Sequence, residues 1–171
     1  MNIFILDRDP IIAAQMQCDK HVVKMPLESA QMLSTAHREL DEFYGFIPTD
    51  SPIYGSTHKN HPCNVWVRQS VENYNWLYKH FVALSAEYDH RYYKLHKSWL
   101  VLGEILSNPP HLIPECPMTP FAQAMPDEYK DDDPVVAYQN YYLSEKRGML
   151  KYRKRLMPLW VEDAIGDDRV W

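Results

Sequence analysis

The sequence predicts an all-α fold, a compact helical bundle in a single domain over residues 1–171, and three observations support it. Apolar residues make up 46% of the chain, a composition that forms a core. From Cys63 to Tyr88 they recur at intervals of three and four, which is the spacing of one helix face. Asp9-Pro10 and Asp133-Pro134 each combine an N-cap residue with a proline at the first helical position.

The chain opens with a short apolar strand or extended arm, Ile3 to Leu6, and a helix should start at Pro10. Pro26 lacks the N–H that the preceding helical turn needs. We therefore expect a kink or two abutting helices there, about Pro10 to Lys24 and Pro26 to Leu40. On the second helix, the spacing predicts these core residues: Leu27, Ala30, Leu33, His37 and Leu40.

A loop with several Pro and Gly residues, 43–59, precedes a long central helix that we predict from about Cys63 to His90. Its buried stripe should include Tyr74, Leu77, Phe81 and Leu84. A short helix around residues 99–106 follows, and then an irregular loop with five prolines between residues 109 and 120. A last helix is predicted from Pro134 to about Lys146, and the tail from Leu156 to Trp171 has no clear period.

The formal net charge of −5 argues against a surface coated with phosphate-binding residues. Any nucleic-acid surface should be local, and two basic clusters are available, over residues 90–97 and 146–155. The alternative is that both are solvated helix faces. The opening MNIFILDRDP lacks the basic start and long apolar run of a signal peptide, and three scattered cysteines do not indicate disulfides. We therefore expect a cytoplasmic protein with no membrane contact.

The first candidate site lies on the predicted second helix. A polar stripe at steps of three and four contains His21, Lys24, Glu28, Gln31, Thr35 and Arg38. A base, cations and a carboxylate in one groove can bind an anion and move protons. We predict that His21, Glu28 and Arg38 line a common concave site. The alternative is an exposed helix face with a weak ion pair between Lys24 and Glu28.

The second candidate is the loop that leads into the central helix, with His58, Lys59, Asn60 and His61. Free N–H groups and the helix dipole favour a phosphate or a carboxylate at such a position. The alternative is a plain capping loop. His58, His61 and Cys63 are of the types that bind zinc, but no second ligand cluster with metal-site spacing follows, so we predict no metal and no cofactor.

Two further residues are predicted to contact a substrate. Gln123 lies near aromatic residues and can hydrogen-bond a base or an amide, and Arg91 adjoins two tyrosines at the end of the central helix. The alternatives are loop packing for Gln123 and a surface side chain for Arg91. There is no Gly-rich phosphate loop, G-x-S-x-G elbow or C-x-x-C pair, so Walker-type hydrolysis, serine hydrolysis and dithiol redox chemistry have no support.

The sequence resembles the bacteriophage pyrimidine-dimer DNA glycosylase, endonuclease V, in two places. One is Asp19-Lys20-His21 with Glu28 seven residues after the histidine, and the other is the long helix that begins at His61 with Trp66, Tyr74 and Leu77. Taken whole, the chain is similar to a family of tailed-phage proteins with the same MNIF opening and CDKHVVKM run. The resemblance implies a small all-helical enzyme that excises a damaged pyrimidine and nicks the abasic site.

The resemblance also implies roles for residues. In that family the chain's own α-amino group attacks the sugar C1′ and forms a Schiff base. Here the amine would be that of Met1, because Asn2 is bulky enough that Met1 should usually stay. Glu28 would take the role of the essential carboxylate and His21 that of the neighbouring histidine. In our leading hypothesis His21 would orient or protonate the base, and Lys24, Arg38 and the His58 to His61 loop would hold phosphate.

Three functions follow, in order of preference. The first is a glycosylase-like enzyme that acts on a pyrimidine base in DNA or in a nucleotide. The second is a base-modifying transferase on unusual phage pyrimidines, which the bulk of Asn2 and the acidic net charge favour. The third is a non-catalytic phage protein that sequesters a host protein or a nucleotide signal. Trapping of a covalent adduct with borohydride discriminates the first from the other two.

Overall fold

The structure, a computed structural model, describes residues 1–166, and every regular element among them is helical. The α-helices are α1 Pro10–Met16, α2 Asp19–Asp41, α3 Pro62–Gln69, α4 Val71–Tyr92, α5 Lys97–Leu102, α6 Pro134–Glu145 and α7 Leu159–Gly166. Short 3-10 turns lie at Glu42–Tyr44, Ile105–Ser107, Asp127–Tyr129 and Arg147–Met149. The all-α prediction is confirmed. None of the described helices is long and apolar enough to cross a membrane.

Both predicted Asp-Pro helix starts are confirmed. The Asp9 carboxylate accepts a hydrogen bond from the Ile11 N–H at 2.7 Å, and Asp133 does the same for Val135 at 2.9 Å. The tail is different from its prediction, because α7 forms within it and buries Val161. The last part of that tail, residues 167–171, lies outside the described residues.

Residues 3–6 form a buried extended arm and no strand. Ile3, Ile5 and Leu6 are almost inaccessible to solvent, and the Gln17 side chain donates to the Ile3 carbonyl at 3.1 Å. Phe4 adopts a positive φ of 54°, which turns the arm and lets the Leu6 N–H bond to the Phe4 carbonyl. The arm is therefore fixed in the core, and it holds the start of the chain in place.

Of the two predicted outcomes at Pro26, the division into two abutting helices is wrong. Helix α2 continues through Pro26, and the interruption falls earlier, between Met16 and Asp19, where Gln17 is extended. A proline forfeits one backbone hydrogen bond, and the burial of Met25 and Pro26 outweighs that loss. At the real break, tertiary bonds replace helical ones, since the Cys18 N–H donates to the Tyr142 hydroxyl.

The core face of α2 also differs from its prediction at one position. Ala30 and Leu33 are buried, and His37 and Leu40 are partly buried, but Leu27 is exposed with 39% of its surface accessible. The register of the core face on the N-terminal half of α2 is set by Val22, Met25 and Ser29, which are buried.

The predicted single central helix is two helices. Ser70 is extended, with φ −157° and ψ 154°, and separates α3 from α4. Its hydroxyl caps α4 by accepting from the Asn73 N–H at 3.0 Å, and the Val71 N–H donates to Pro114 in the proline-rich loop. The predicted burial of Tyr74, Leu77, Phe81 and Leu84 is confirmed. Ser70 belongs to the periodic stripe of the sequence and is buried, but it is buried as the N-cap residue of α4. The stripe therefore gave no sign of the break between the two helices.

Helix α4 is the centre of the bundle, and it packs mainly against α1 and α2. Its C-terminal end holds a buried ion network around Arg91, whose side chain is wholly inaccessible to solvent. The guanidinium contacts Glu87 at 2.7 Å and Asp19 at 2.9 Å, and donates to the Gln15 carbonyl at 3.0 Å. Arg155 contacts the second oxygen of Glu87 at 2.9 Å. This network joins α1, α2, α4 and the segment after α6.

We expect the protein to lose stability when the pH falls from 7 to 5. The imidazole of His80 is buried, with Nδ1 2.8 Å from the Pro10 carbonyl oxygen and Nε2 3.1 Å from the Gln17 amide nitrogen. Burial lowers the pKa of His80 from 6.5 to about 4. The unfolded chain therefore binds more protons than the folded chain between those values, so stability rises with pH across that window.

The size of this effect is measurable by urea denaturation. One such group contributes on the order of 2 kcal/mol of destabilisation at pH 5 relative to pH 7. His21, whose pKa is also lowered to about 4, adds to the same slope. The variant His21→Gln serves as the control, because it should retain the share of the slope that His80 causes. Equal free energies of unfolding at pH 5 and pH 7 would contradict the prediction.

Candidate active site

A cavity of about 360 Å³ lies where the N-terminal arm, the first half of α2 and the end of α6 meet. Three kinds of residue line it. The start of the chain and Glu28 form one end, rings and thioethers form the walls, and lysines lie among the lining residues. The volume is in the range of pockets that bind small molecules or single nucleotides.

Glu28 is buried, with 7% of its surface exposed, and its carboxylate has several donors. Oε2 accepts from the backbone N–H of Asn2 at 3.0 Å and lies 3.7 Å from the α-amino nitrogen of Met1. Oε1 contacts the Lys24 ammonium at 2.8 Å. Because Lys24 is largely exposed, that ion pair contributes little to stability. The carboxylate is therefore held beside the amine by the backbone of the N-terminal arm.

The side chain of Met1, the residue that carries the α-amino group, is held by α3. The Met1 side chain is buried, and its sulfur accepts from the Asn64 amide at 3.0 Å. The same amide donates to the carbonyls of Thr57 and His58, each at 3.0 Å, so one side chain ties the N-terminus to the loop before α3. A primary amine next to a buried carboxylate is an arrangement suited to nucleophilic catalysis.

His21 lies on the wall of the cavity. Its ring stacks on Phe4 with centroids 4.3 Å apart, and Nδ1 is hydrogen-bonded to the Tyr142 hydroxyl. Burial, followed by the charges of Lys146 and Lys24, lowers the pKa of His21 to about 4. His21 is therefore neutral near pH 7 and is unsuited to protonate a base there. When Nδ1 accepts the Tyr142 proton, the ring carries its own proton on Nε2 and can donate one hydrogen bond.

Cations and an aromatic ring complete the cavity. Lys20, Lys24 and Lys146 are among its lining residues, and Tyr141 and Met149 add apolar surface. The Tyr141 ring lies nearly parallel to Phe4, with an interplanar angle of 10° and centroids 6.3 Å apart. Lys146 contacts the face of Tyr141, with its nitrogen 4.9 Å from the ring centroid. A cavity with these walls suits a flat ring joined to anionic groups.

The predicted concave site shared by His21, Glu28 and Arg38 is wrong in respect of Arg38. His21 and Glu28 line one cavity, but the Arg38 guanidinium donates to the carbonyls of Ile53 and Tyr54 at 3.0 and 3.2 Å. Ten residues of helix span about 15 Å, which is too far for Arg38 to reach the same cavity. Gln31 is partly buried and lies outside the lining.

The loop before α3 lies next to the N-terminus and outside the lining of the cavity. His61 is the N-cap residue of α3, and its Nδ1 accepts a hydrogen bond from the Cys63 N–H at 3.2 Å. Burial, the α-amino charge and His58 lower the pKa of His61. Lys59 lies 3.4 Å from Glu39, and Asn60 is exposed. In the described part of the chain, no three His, Cys, Asp or Glu residues come together as a metal site.

Gln123 and Arg91 are not at the cavity. The Gln123 amide makes two hydrogen bonds to the backbone of Asp131, at 2.6 and 3.1 Å, so both of its polar ends are occupied. Arg91 is in the buried ion network of α4. The predicted contact of Arg91 with a substrate is wrong, because two carboxylates and a carbonyl bind its guanidinium inside the protein.

Sequence reasoning missed the residues from outside the first helices. Tyr141, Lys146 and Met149 lie more than 110 positions after Glu28 in the chain, and no local pattern brings them together with it. The basic cluster at residues 146–155 was the one available signal, and it pointed to Lys146. Lys20 lies next to His21 in the chain and lines the cavity, and its place in the Asp19-Lys20-His21 motif is the signal that could identify it.

Comparison with known protein families gives a match over the N-terminal part of the chain. A family model described as pyrimidine dimer DNA glycosylase matches residues 1–101, which is more than half of the chain. The matched part contains Met1, His21 and Glu28 and ends before Tyr141 and Lys146. Searches of curated proteins and of solved structures gave no significant match.

Proposed function

The chain belongs to the pyrimidine dimer DNA glycosylase family, and from this membership we propose that it excises a damaged pyrimidine from DNA with its α-amino group as the nucleophile. One observation carries the proposal. The Met1 nitrogen lies 3.7 Å from the buried carboxylate of Glu28, at the end of a cavity large enough for a nucleotide. A primary amine can attack an electrophilic carbon and then form a Schiff base with it.

In the proposed first step, the unprotonated amine donates its electron pair to the sugar C1′. The bond between C1′ and the pyrimidine nitrogen breaks, and its electrons leave with the base. The carboxylate of Glu28 stabilises the positive charge that develops on the sugar and takes the proton that the attacking nitrogen loses. Glu28 then passes this proton to the ring oxygen O4′ as the C1′–O4′ bond breaks, and the opened sugar is left as a Schiff base between C1′ and the amine.

In the proposed second step, the Schiff base acts as an electron sink. The carboxylate of Glu28 takes a proton from C2′, and the electrons of that C–H bond expel the 3′-phosphate and break the strand. Water then hydrolyses the Schiff base and restores the amine. The leaving base would lie against Tyr141, with the neutral His21 donating a hydrogen bond from Nε2 to a pyrimidine carbonyl. Lys20, Lys24 and Lys146 would hold the flanking phosphates.

The test is reductive trapping. We expect sodium borohydride to convert the Schiff base into a stable amine and so link the full chain to duplex DNA that carries a single pyrimidine dimer. Peptide mapping by mass spectrometry should place the adduct on the N-terminal residue. The intact mass of the protein, measured before the reaction, shows whether Met1 has been removed and therefore whether that residue is Met1 or Asn2.

Two controls make the result specific. Selective acetylation of the α-amino group should abolish trapping, because an amide nitrogen does not attack C1′. If the adduct instead lies on Lys20, Lys24 or Lys146, the protein forms a Schiff base as proposed, but its nucleophile is a lysine and not the α-amine. No adduct with dimer-containing or abasic duplexes would reject the proposed function and favour a non-catalytic binding role.

A further inference from the structure

The two basic clusters of the sequence meet in space. We propose that Lys20, Lys151, Arg153 and Lys154 form a phosphate-binding strip that leads from the cavity to the C-terminal end of α4 and holds the DNA backbone beside the lesion. The inference rests on the proposed function for the identity of its ligand. It assigns a DNA-binding role to a segment that follows the family-matched part of the chain.

Asp19 joins the first turn of α2 to the segment that carries the other three residues of the strip. Its backbone N–H donates to the Lys151 carbonyl at 2.8 Å, and its carboxylate accepts from the Arg153 N–H at 2.9 and 3.1 Å. These bonds fix the segment after α6 against the first turn of α2. Lys20 is the next residue and lines the cavity, so the strip begins at the candidate active site.

The far end of the strip lies on α4. The Lys154 ammonium donates to the His90 carbonyl at 3.1 Å and lies 3.0 Å from the centroid of the Tyr93 ring. The Arg153 guanidinium lies over Tyr92 at 5.8 Å from its centroid. The rings therefore hold both cations at the surface without neutralising their charge, which leaves the charge available to phosphates.

Two carboxylates near the strip, those of Glu87 and Asp19, are already bound by other groups. Glu87 binds Arg91 and Arg155, and Asp19 binds Arg91 and the Arg153 backbone. In the described part of the chain, the side chains of Lys20, Lys151 and Arg153 have no carboxylate partner within ion-pair distance. All four residues of the strip are exposed. On a chain with a net charge of −5, such a group of free cations is a local exception to the average surface.

The experiment measures binding without chemistry. The probe is a 20-base-pair duplex with a central tetrahydrofuran, an abasic analogue that cannot form a Schiff base, and fluorescence anisotropy gives Kd between 50 and 200 mM NaCl. We expect the triple variant Lys151→Gln, Arg153→Gln, Lys154→Gln to bind about 10- to 100-fold more weakly at low salt. The slope of log affinity against log salt should fall by roughly one for each removed phosphate contact.

The matched control is Lys79→Gln, which removes an equally exposed lysine from another part of α4. Its Kd should stay within about twofold of the parent value, and the single variant Lys151→Gln should lose part of the salt slope. Should the triple variant fail to fold, as judged by its melting temperature, the single variant decides the question. The hydrogen bonds from Asp19 to this segment are unaffected by these substitutions, because they involve the backbone atoms of Lys151 and Arg153.

The outcomes separate this inference from the proposed function. An unchanged affinity and salt slope in the triple and single variants would overturn the strip even if borohydride trapping succeeds. Weaker binding with a smaller slope would support the strip, including the case in which the parent protein binds DNA and forms no covalent adduct.

Discussion

The variant Glu28→Gln should lose at least two orders of magnitude in turnover on dimer-containing DNA while it folds almost as well as the parent. The amide has the volume of the carboxylate and can still accept from the Asn2 N–H, which lies 3.0 Å from Oε2. It carries no charge, so it can neither stabilise a cationic sugar nor take a proton from the amine. We expect a change in the free energy of unfolding within about 1 kcal/mol.

Single-turnover cleavage and thermal melting of the two proteins provide the measurement. Lys24→Gln is the matched control, because it removes the ion pair to Oε1 at 2.8 Å and keeps the carboxylate. At a protein concentration that saturates the DNA, the control should retain most of the single-turnover rate even though it loses a phosphate contact, because the amine, and not Lys24, is the proposed nucleophile. A stably folded Glu28→Gln variant with unchanged turnover would end the catalytic assignment. A large drop in melting temperature with intact activity would make Glu28 a structural residue.

The largest expected loss of stability follows from Arg91→Met. Arg91 is completely buried, and its removal leaves Glu87 and Asp19 without the cation that lies 2.7 and 2.9 Å from them. Breaking a buried ion pair from one side costs roughly 3 to 5 kcal/mol. In a chain of this size, that corresponds to a melting temperature lower by about 10 °C. Turnover per folded molecule should change little, since Arg91 does not line the cavity.

Urea denaturation at pH 7.5 measures this loss, and Arg153→Gln is the control. Arg153 is exposed, and its side chain takes no part in the network, so its replacement should change the free energy of unfolding by less than about 0.5 kcal/mol. A nearly unchanged stability together with a weaker affinity for DNA would contradict the structural role of Arg91.

The local sequence determined the helices and half of the candidate site. Both Asp-Pro pairs of this chain start helices, because the N-cap hydrogen bond and the fixed φ of proline act over only a few residues. The interval between His21 and Glu28 is two helical turns, so it places both on one face whether or not the chain bends at Pro26. The apolar stripe of α4 likewise predicted its buried residues, because periodicity depends only on helix geometry.

The tertiary structure decided everything that depends on distant partners. Pro26 stays within α2 and Ser70 ends α3, because burial at one position and the bond from Val71 to Pro114 at the other outweigh local preference. The sequence places Arg91 among surface cations, but in the folded chain Glu87 and Asp19 bind its guanidinium inside the protein. The cavity itself requires the Met1 amine and Lys146 to meet across most of the chain. Such contacts depend on how helices pack, and side-chain spacing along one helix carries no information about them.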